Sequence, residues 1–202
     1  MAKHAKLDLY KQFKSEYVTT KDPVFVVVGP AQYLSIAGRG APGGDNFRAH
    51  VGALYAVAFT LKVAEKFAGH DYKVCHLEGQ WWADDGTDFR AHQPKEWHWR
   101  LLIRVPDFVT QKELDDAIET VVRKKKEQLP TLVMLEKLTE GRCVQMLHVG
   151  PYAEEKTAVT KMEQMVEREG LHFHGPHHEI YLSDPNRVPA QRLRTIVRYS
   201  VE

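Results

Sequence analysis

Two glutamates, Glu78 and Glu179, stand in similar settings, Leu77-Glu-Gly-Gln-Trp-Trp82 and His178-Glu-Ile-Tyr-Leu182. Both stretches read as strands, where alternate side chains share a face. Ile180 and Leu182 belong under helices by their apolar character, which puts Glu179 and Tyr181 together on the other face. By the same rule Glu78, Gln80 and Trp82 share one face, with Leu77 and Trp81 opposite. Each site is then a carboxylate with an aromatic ring nearby. Tyr55, Trp99 and Tyr152 are further aromatic candidates for the wall of a ligand site, although alternation does not fix which way Trp97 and Trp99 point.

A carboxylate among rings has two uses. Left ionised, it attracts a cationic ligand, and each ring adds roughly 0.5–2 kcal/mol through cation–π contact. Withdrawn from water, its pKa rises and it holds a proton for use as a general acid. The residue types are the same in both cases, and a strand glutamate can equally be a solvated side chain or a salt-bridge partner.

Other chemistries find less support. Eleven histidines include His172, His174, His177 and His178, but their spacing matches no compact metal motif and Gly175-Pro176 interrupts them, so no metal is expected. The run Gly38 to Gly44 contains Pro42 and lacks the Gly-Lys-Ser/Thr ending of a phosphate-binding loop. No nucleophile elbow is present. Cys75 and Cys143 lie in strands without redox spacing and suit a reducing compartment. No cofactor is implied.

These residues need elements to hold them. A short helix over Leu7–Phe13 opens the chain. Strands are expected over Phe25–Val28 and, resuming after Gly29-Pro30, over Gln32–Ala37; further ones span Tyr72–Trp82 and Glu96–Val105. The spacing of Phe47, Val51, Leu54, Ala58 and Leu61 predicts a long helix to Phe67. Thr110-Gln-Lys-Glu113 is a capping box opening a second helix, on Leu114, Ala117, Ile118, Val121 and Val122, with Lys124, Lys125 and Lys126 in its last turn. Leu132–Leu138 and Cys143–Val149 read as a hairpin around Glu140-Gly141. A third helix carries Ala158, Met162, Met165 and Val166 and stops at Gly170, before strands over His177–Leu182 and Arg194–Val201.

Written as elements, the chain states one pattern twice: strand, glycine-containing turn, helix, strand ending in Glu, outgoing strand. The fold class is therefore α+β, with tandem duplicated β-α-β-β modules related by a pseudo-two-fold axis and antiparallel sheets. The expected organisation is one domain over 1–202, built of repeats at about 24–109 and 131–202 joined by a helix at 110–128. A duplication can bring equivalent glutamates to one shared cleft.

Composition agrees with a folded, soluble protein: 202 residues, 43% hydrophobic and 27% charged. A net charge of +1, from 28 basic and 27 acidic residues, gives no pull toward a phosphate backbone, and nucleic acid is not expected as a direct partner. The longest apolar run falls far short of the ~20 residues that cross a bilayer, so no membrane partner is expected, and the polar N-terminus reads as cytoplasmic.

The sequence resembles the GyrI-like small-molecule-binding proteins, which also serve as effector domains of AraC-type and MerR-type drug-sensing regulators. The resemblance rests on His148-Val-Gly-Pro-Tyr152, His177-His-Glu-Ile-Tyr-Leu-Ser-Asp-Pro185, Leu193-Arg-Thr-Ile-Val-Arg198, Leu77-Glu-Gly-Gln-Trp-Trp82, Leu54-Tyr55 and the Trp97–Val109 stretch. It implies a concave groove between sheets for flat, lipophilic, often cationic molecules, contacted by a glutamate at the place of Glu179. Stand-alone members similar to this chain hydrolyse cyclopropanoid DNA-alkylating toxins. Carried over by position, Glu179 and Glu78 become the acidic pair of such an enzyme, ringed by Tyr181, Trp82, Tyr152 and Tyr55. The alternative is a non-catalytic module that sequesters or senses drugs. Only some twenty residues precede the first strand, so a DNA-binding domain is not expected, and the chain should be a monomer or weak dimer.

Overall fold

The computed structural model describes residues 6–85 and 88–202. In chain order the elements are α1 (Leu9–Gln12), α2 (Lys14–Tyr17), β1 (Val24–Val28), β2 (Ala31–Arg39), α3 (Asp45–Ala68), β3 (Glu78–Trp82), β4 (His98–Val105), α4 (Gln111–Lys125), β5 (Met134–Leu138), β6 (Gly141–Val149), α5 (Lys156–Arg168), β7 (Phe173–Tyr181) and β8 (Arg194–Val201). The class is α+β, and the series strand, helix, strand, strand occurs twice, as β2-α3-β3-β4 and β6-α5-β7-β8.

The chain forms two compact units. The first holds the residues up to Gln12, Ala31–Cys75 and Trp81–Leu138. Here β2 lies between β4 and β5, antiparallel to both. Helix α3 covers this sheet through Ala53, Leu54, Val57, Ala58 and Leu61. The capping box of α4 forms as its residue types dictate: Glu113 Oε2 accepts from the Thr110 backbone N–H at 2.7 Å.

The second unit holds Phe13–Pro30, His76–Gln80 and Thr139–Glu202. Its strand order is β1-β6-β8-β7-β3. Helix α5 packs Ala158, Val159, Met162 and Val166 onto Val144, Met146, Val197, Tyr199 and Val201. Phe173 stacks on Tyr199 with ring centroids 4.1 Å apart, extending that core.

Three local expectations are corrected. The hairpin around Glu140-Gly141 does not form: β5 pairs with β2, whereas β6 takes β1 and β8 as neighbours. Turn residues signal a change of direction but not which strand fills each edge. Likewise Gly29-Pro30 interrupts no single strand, because β1 lies in the second unit and β2 in the first. The ladder expected from Tyr72 begins only at Glu78, Tyr72 itself making an isolated bridge with Leu7.

Candidate functional site

Glu179 occupies the face of the sheet under helix α5. It pairs with Val197, whose side chain belongs to the α5 core. The opposite expectation, with Ile180 under the helix, is therefore corrected. Strand β7 has a neighbour on each edge and both its faces are covered, so side-chain polarity cannot tell one face from the other. Ile180 pairs with Ile196 and points away from α5, and it is as buried as any core residue.

Under α5, Glu179 meets two partners the sequence reading did not select. His177 lies two residues back, on the same face, and its Nε2 is 2.9 Å from Glu179 Oε1. Glu155, at the N-cap position of α5, brings Oε2 to 3.6 Å from the same Nε2. Tyr199 fixes the other side of the ring, with its hydroxyl 2.7 Å from Nδ1. All three members of the cluster are buried, at 3–7% exposure.

The protonation pattern follows from these contacts. Burial comes first in pushing the Glu155 carboxyl up to about 8, and the Glu179 charge adds to it. For His177 burial acts downward, but the hydrogen bonds and charges of Glu155 and Glu179 outweigh it and raise the imidazole. For Glu179 burial acts upward, yet the His177 hydrogen bond and charge hold the carboxyl below its ordinary value. These shifts favour the protonated forms of Glu155 and His177 and the ionised form of Glu179. A protonated ring donates from Nε2 to Glu179 and from Nδ1 to Tyr199. The cluster thus holds an acid and a base around one histidine. Glu155, His177 and Glu179 are also metal-ligand types, each offering one atom within 4.8 Å of the others.

Aromatic rings flank the cluster. Tyr152 and Tyr181 stand edge to face, with centroids 5.8 Å apart, and burial followed by the Glu179 charge pushes the Tyr152 hydroxyl up to about 12. Tyr181 and His148 both pair with Thr195, placing the three on the α5 face.

Glu78 is elsewhere. Its Oε2 is 3.0 Å from His178 Nε2 and its Oε1 accepts from the Tyr17 hydroxyl at 3.1 Å. His178 pairs with Arg198 and so faces away from α5. Glu140 completes this second network, 2.7 Å from His178 Nδ1 and 2.8 Å from Arg198. Burial opposes both shifts, but mutual attraction lifts His178 to about 9 and holds Glu140 at about 2. The acidic pair expected from the repeat, Glu78 with Glu179, is thus corrected: the two lie on opposite faces of the sheet, each with its own histidine.

The other aromatic candidates belong to the first unit. Trp99 is fully buried, against Phe47 and His50, and its indole N–H donates to the Gly40 carbonyl, so it packs as core rather than as a ligand wall. Trp82 stacks on His98 at 5.8 Å. Tyr55 stacks on Phe59 and lines an outer hollow between α3 and α4 with Lys124 and Lys125. An aromatic cluster that the sequence did not single out, Phe47, Trp81, Phe89 and Trp97, also stands in this unit.

Among the described residues no helix is long and apolar enough to cross a membrane. Comparison with known proteins matches residues 21–200 to the GyrI-like small molecule binding domain. An uncharacterized conserved protein from Listeria innocua is 36% identical, with 98% of this chain and 100% of that chain covered and a TM-score of 0.91. A hydrolase from Listeria innocua is also 36% identical over 98% of this chain and 100% of that one, with a TM-score of 0.87. The EcmrR C-terminal domain, 12% identical over 90% of this chain and 97% of its own, shares the fold at a TM-score of 0.61. Among curated proteins there is no match.

Proposed function

Because the chain belongs to the GyrI-like small molecule binding domain family, we propose that the cluster under α5 makes it a hydrolase of flat, lipophilic molecules bearing a strained electrophilic ring, the cyclopropanoid class. One observation carries this reading: two buried carboxyl groups, Glu155 and Glu179, are held around one histidine and bordered by Tyr152 and Tyr181, with their pKa values pushed in opposite directions. A related hydrolase at 36% identity supports an enzymatic role.

In the proposed reaction the Glu155 carboxyl gives its proton to the carbonyl oxygen of the substrate as the strained carbon–carbon bond breaks. Glu179 takes a proton from water, whose oxygen forms the new bond to the ring carbon released. That proton returns to Glu155 through His177, so one water is added and the cluster is restored. Tyr181 and Tyr152 hold the ring system by stacking, which supplies orientation. Acid–base groups of this kind contribute roughly 10²–10⁴-fold to rate.

The test incubates the protein with a cyclopropanoid and follows product by mass spectrometry. Conversion to the species heavier by one water is expected, and Glu179→Gln should slow it by at least about 10²-fold. Compound that is retained unchanged would instead favour a drug-sequestering or sensing module. Unaltered turnover in Glu179→Gln would remove the cluster from the reaction.

A further inference from the structure

Hydrogen bonding on the α5 face is incomplete at two buried atoms. Among the described residues, Thr195 is 1% exposed and its Oγ1 has no partner; Glu155, at 4%, has Oε2 beside His177 but no partner for Oε1. Leaving a hydroxyl buried and unpaired is costly, and the same shape is available without the cost in valine. A strand position between two paired strands, with an apolar core two residues along at Val197, would ordinarily take that valine. The register places Thr195 directly across from Tyr181, the ring beside Glu179, and across from His148 on its other side. His148 directs Nε2 to the Pro151 carbonyl at 3.0 Å, so that nitrogen is committed elsewhere. Tyr152 is 38% exposed and stands in T-shaped contact with Tyr181, so the aromatic pair reaches the surface.

We propose that Thr195 is a specificity-determining residue, whose hydroxyl donates to an acceptor oxygen carried on the edge of a flat aromatic ligand seated against Tyr181. The inference deepens the reading of the α5 cluster as the functional site and names its substrate class more closely: neutral, planar molecules with a ring carbonyl, in preference to planar hydrocarbons of the same shape. A site that hydrogen-bonds a ligand oxygen prefers that ligand to the analogue lacking it, because only the oxygen gives the hydroxyl the partner it lacks in the free protein.

Equilibrium binding tests this without any cyclopropane, so it stays separate from the question of hydrolysis. Quenching of intrinsic fluorescence by 9-fluorenone and by fluorene is measured on the parent protein, Thr195→Val and Thr195→Ser, with thermal unfolding of each ligand-free protein. The parent should prefer the ketone by about tenfold, the worth of one hydrogen bond. Thr195→Val should lose that preference, with fluorene binding unchanged and a melting temperature equal to or above that of the parent. Thr195→Ser should keep the preference. Equal binding of ketone and hydrocarbon by the parent, binding of neither, or loss of the preference in the serine variant would overturn the proposal. A valine variant that melts lower and weakens both ligands equally would do so too, since it would mark Thr195 as purely structural. Should hydrolysis fail while the ketone preference holds, the site reading survives as binding without turnover.

Discussion

Replacing Glu155 with glutamine should stabilise the protein while disabling it. The carboxyl is raised from an ordinary 4.5 to about 8, first by burial and then by the neighbouring Glu179. In the unfolded chain it ionises near its ordinary value. Between about pH 4.5 and 8 the folded protein therefore holds a proton that the unfolded chain releases, and stability falls as pH rises through that window. Above pH 8 both forms are ionised and the penalty is constant; below 4.5 both are protonated and it vanishes. At pH 7 the penalty is about 3 kcal/mol, at roughly 1.4 kcal/mol per pH unit, and at pH 5 it is under about 1 kcal/mol. Glutamine keeps the shape and a hydrogen-bonding head without the charge. For a chain of this size about 3 kcal/mol corresponds to at most roughly 6–12 °C in melting temperature. Calorimetry of parent and Glu155→Gln at pH 5 and pH 7 reads this directly, and subtracting one protein from the other cancels titrations elsewhere. The variant should melt several degrees higher than the parent at pH 7 and nearly level with it at pH 5. A variant no more stable at pH 7, or equally stabilised at both values, would refute a protonated Glu155.

His178→Ala should do the reverse: it leaves Glu78 and Glu140 buried without their shared cation, and a loss of about 3–5 kcal/mol in urea unfolding is expected. Because His178 is raised to about 9, the parent's own advantage is complete below the ordinary histidine value and declines as pH climbs through 9, which the same titration repeated at pH 10 would reveal. Gly38→Ala in β2 would drive a Cβ into the Trp99 ring, so a loss of about 1–3 kcal/mol is expected, read by denaturant unfolding with Trp fluorescence.

Local periodicity was a good guide here. The residues that start and stop α4, the apolar spacing of α3 and α5, and the exact span of β8 are all readable from side-chain type alone. Pairing was not, because the Glu140-Gly141 turn is compatible with a hairpin and only tertiary competition sends β5 to β2 instead. The facing of Glu179 was missed for a related reason: His177, His178, Glu179 and Ile180 are all buried, so no polar stripe distinguishes the two sides of β7. Glu78 matches Glu179 in its local letters, yet its contacts with His178 and Tyr17 place it on the other face. Glu155 did carry a signal. It precedes Ala158, Val159, Met162 and Val166 by three, four, seven and eleven residues, on the buried stripe of α5, where an acidic residue has no water to meet. An acidic first turn is commonly read as complementing the helix dipole at the surface, and that habit hides a buried one. Thr195 gave no warning, since threonine is at home in any strand.

The exchange of leading strands has a bearing on how the gene can be cut. Sequence places β1 at the start of the first repeat, but the strand completes the sheet that holds Glu179, and β5, at the start of the second, does the same for the sheet beneath α3. Dividing the chain in its middle therefore yields two fragments that each lack a border strand and carry the other's. The stretch from Phe13 to Pro30 also supplies the Tyr17 hydroxyl, which donates to Glu78, and the Glu16 carbonyl, which accepts from Arg198. Deleting the start of the protein would thus be felt by its far end, while co-expressed halves should recover structure only in each other's company.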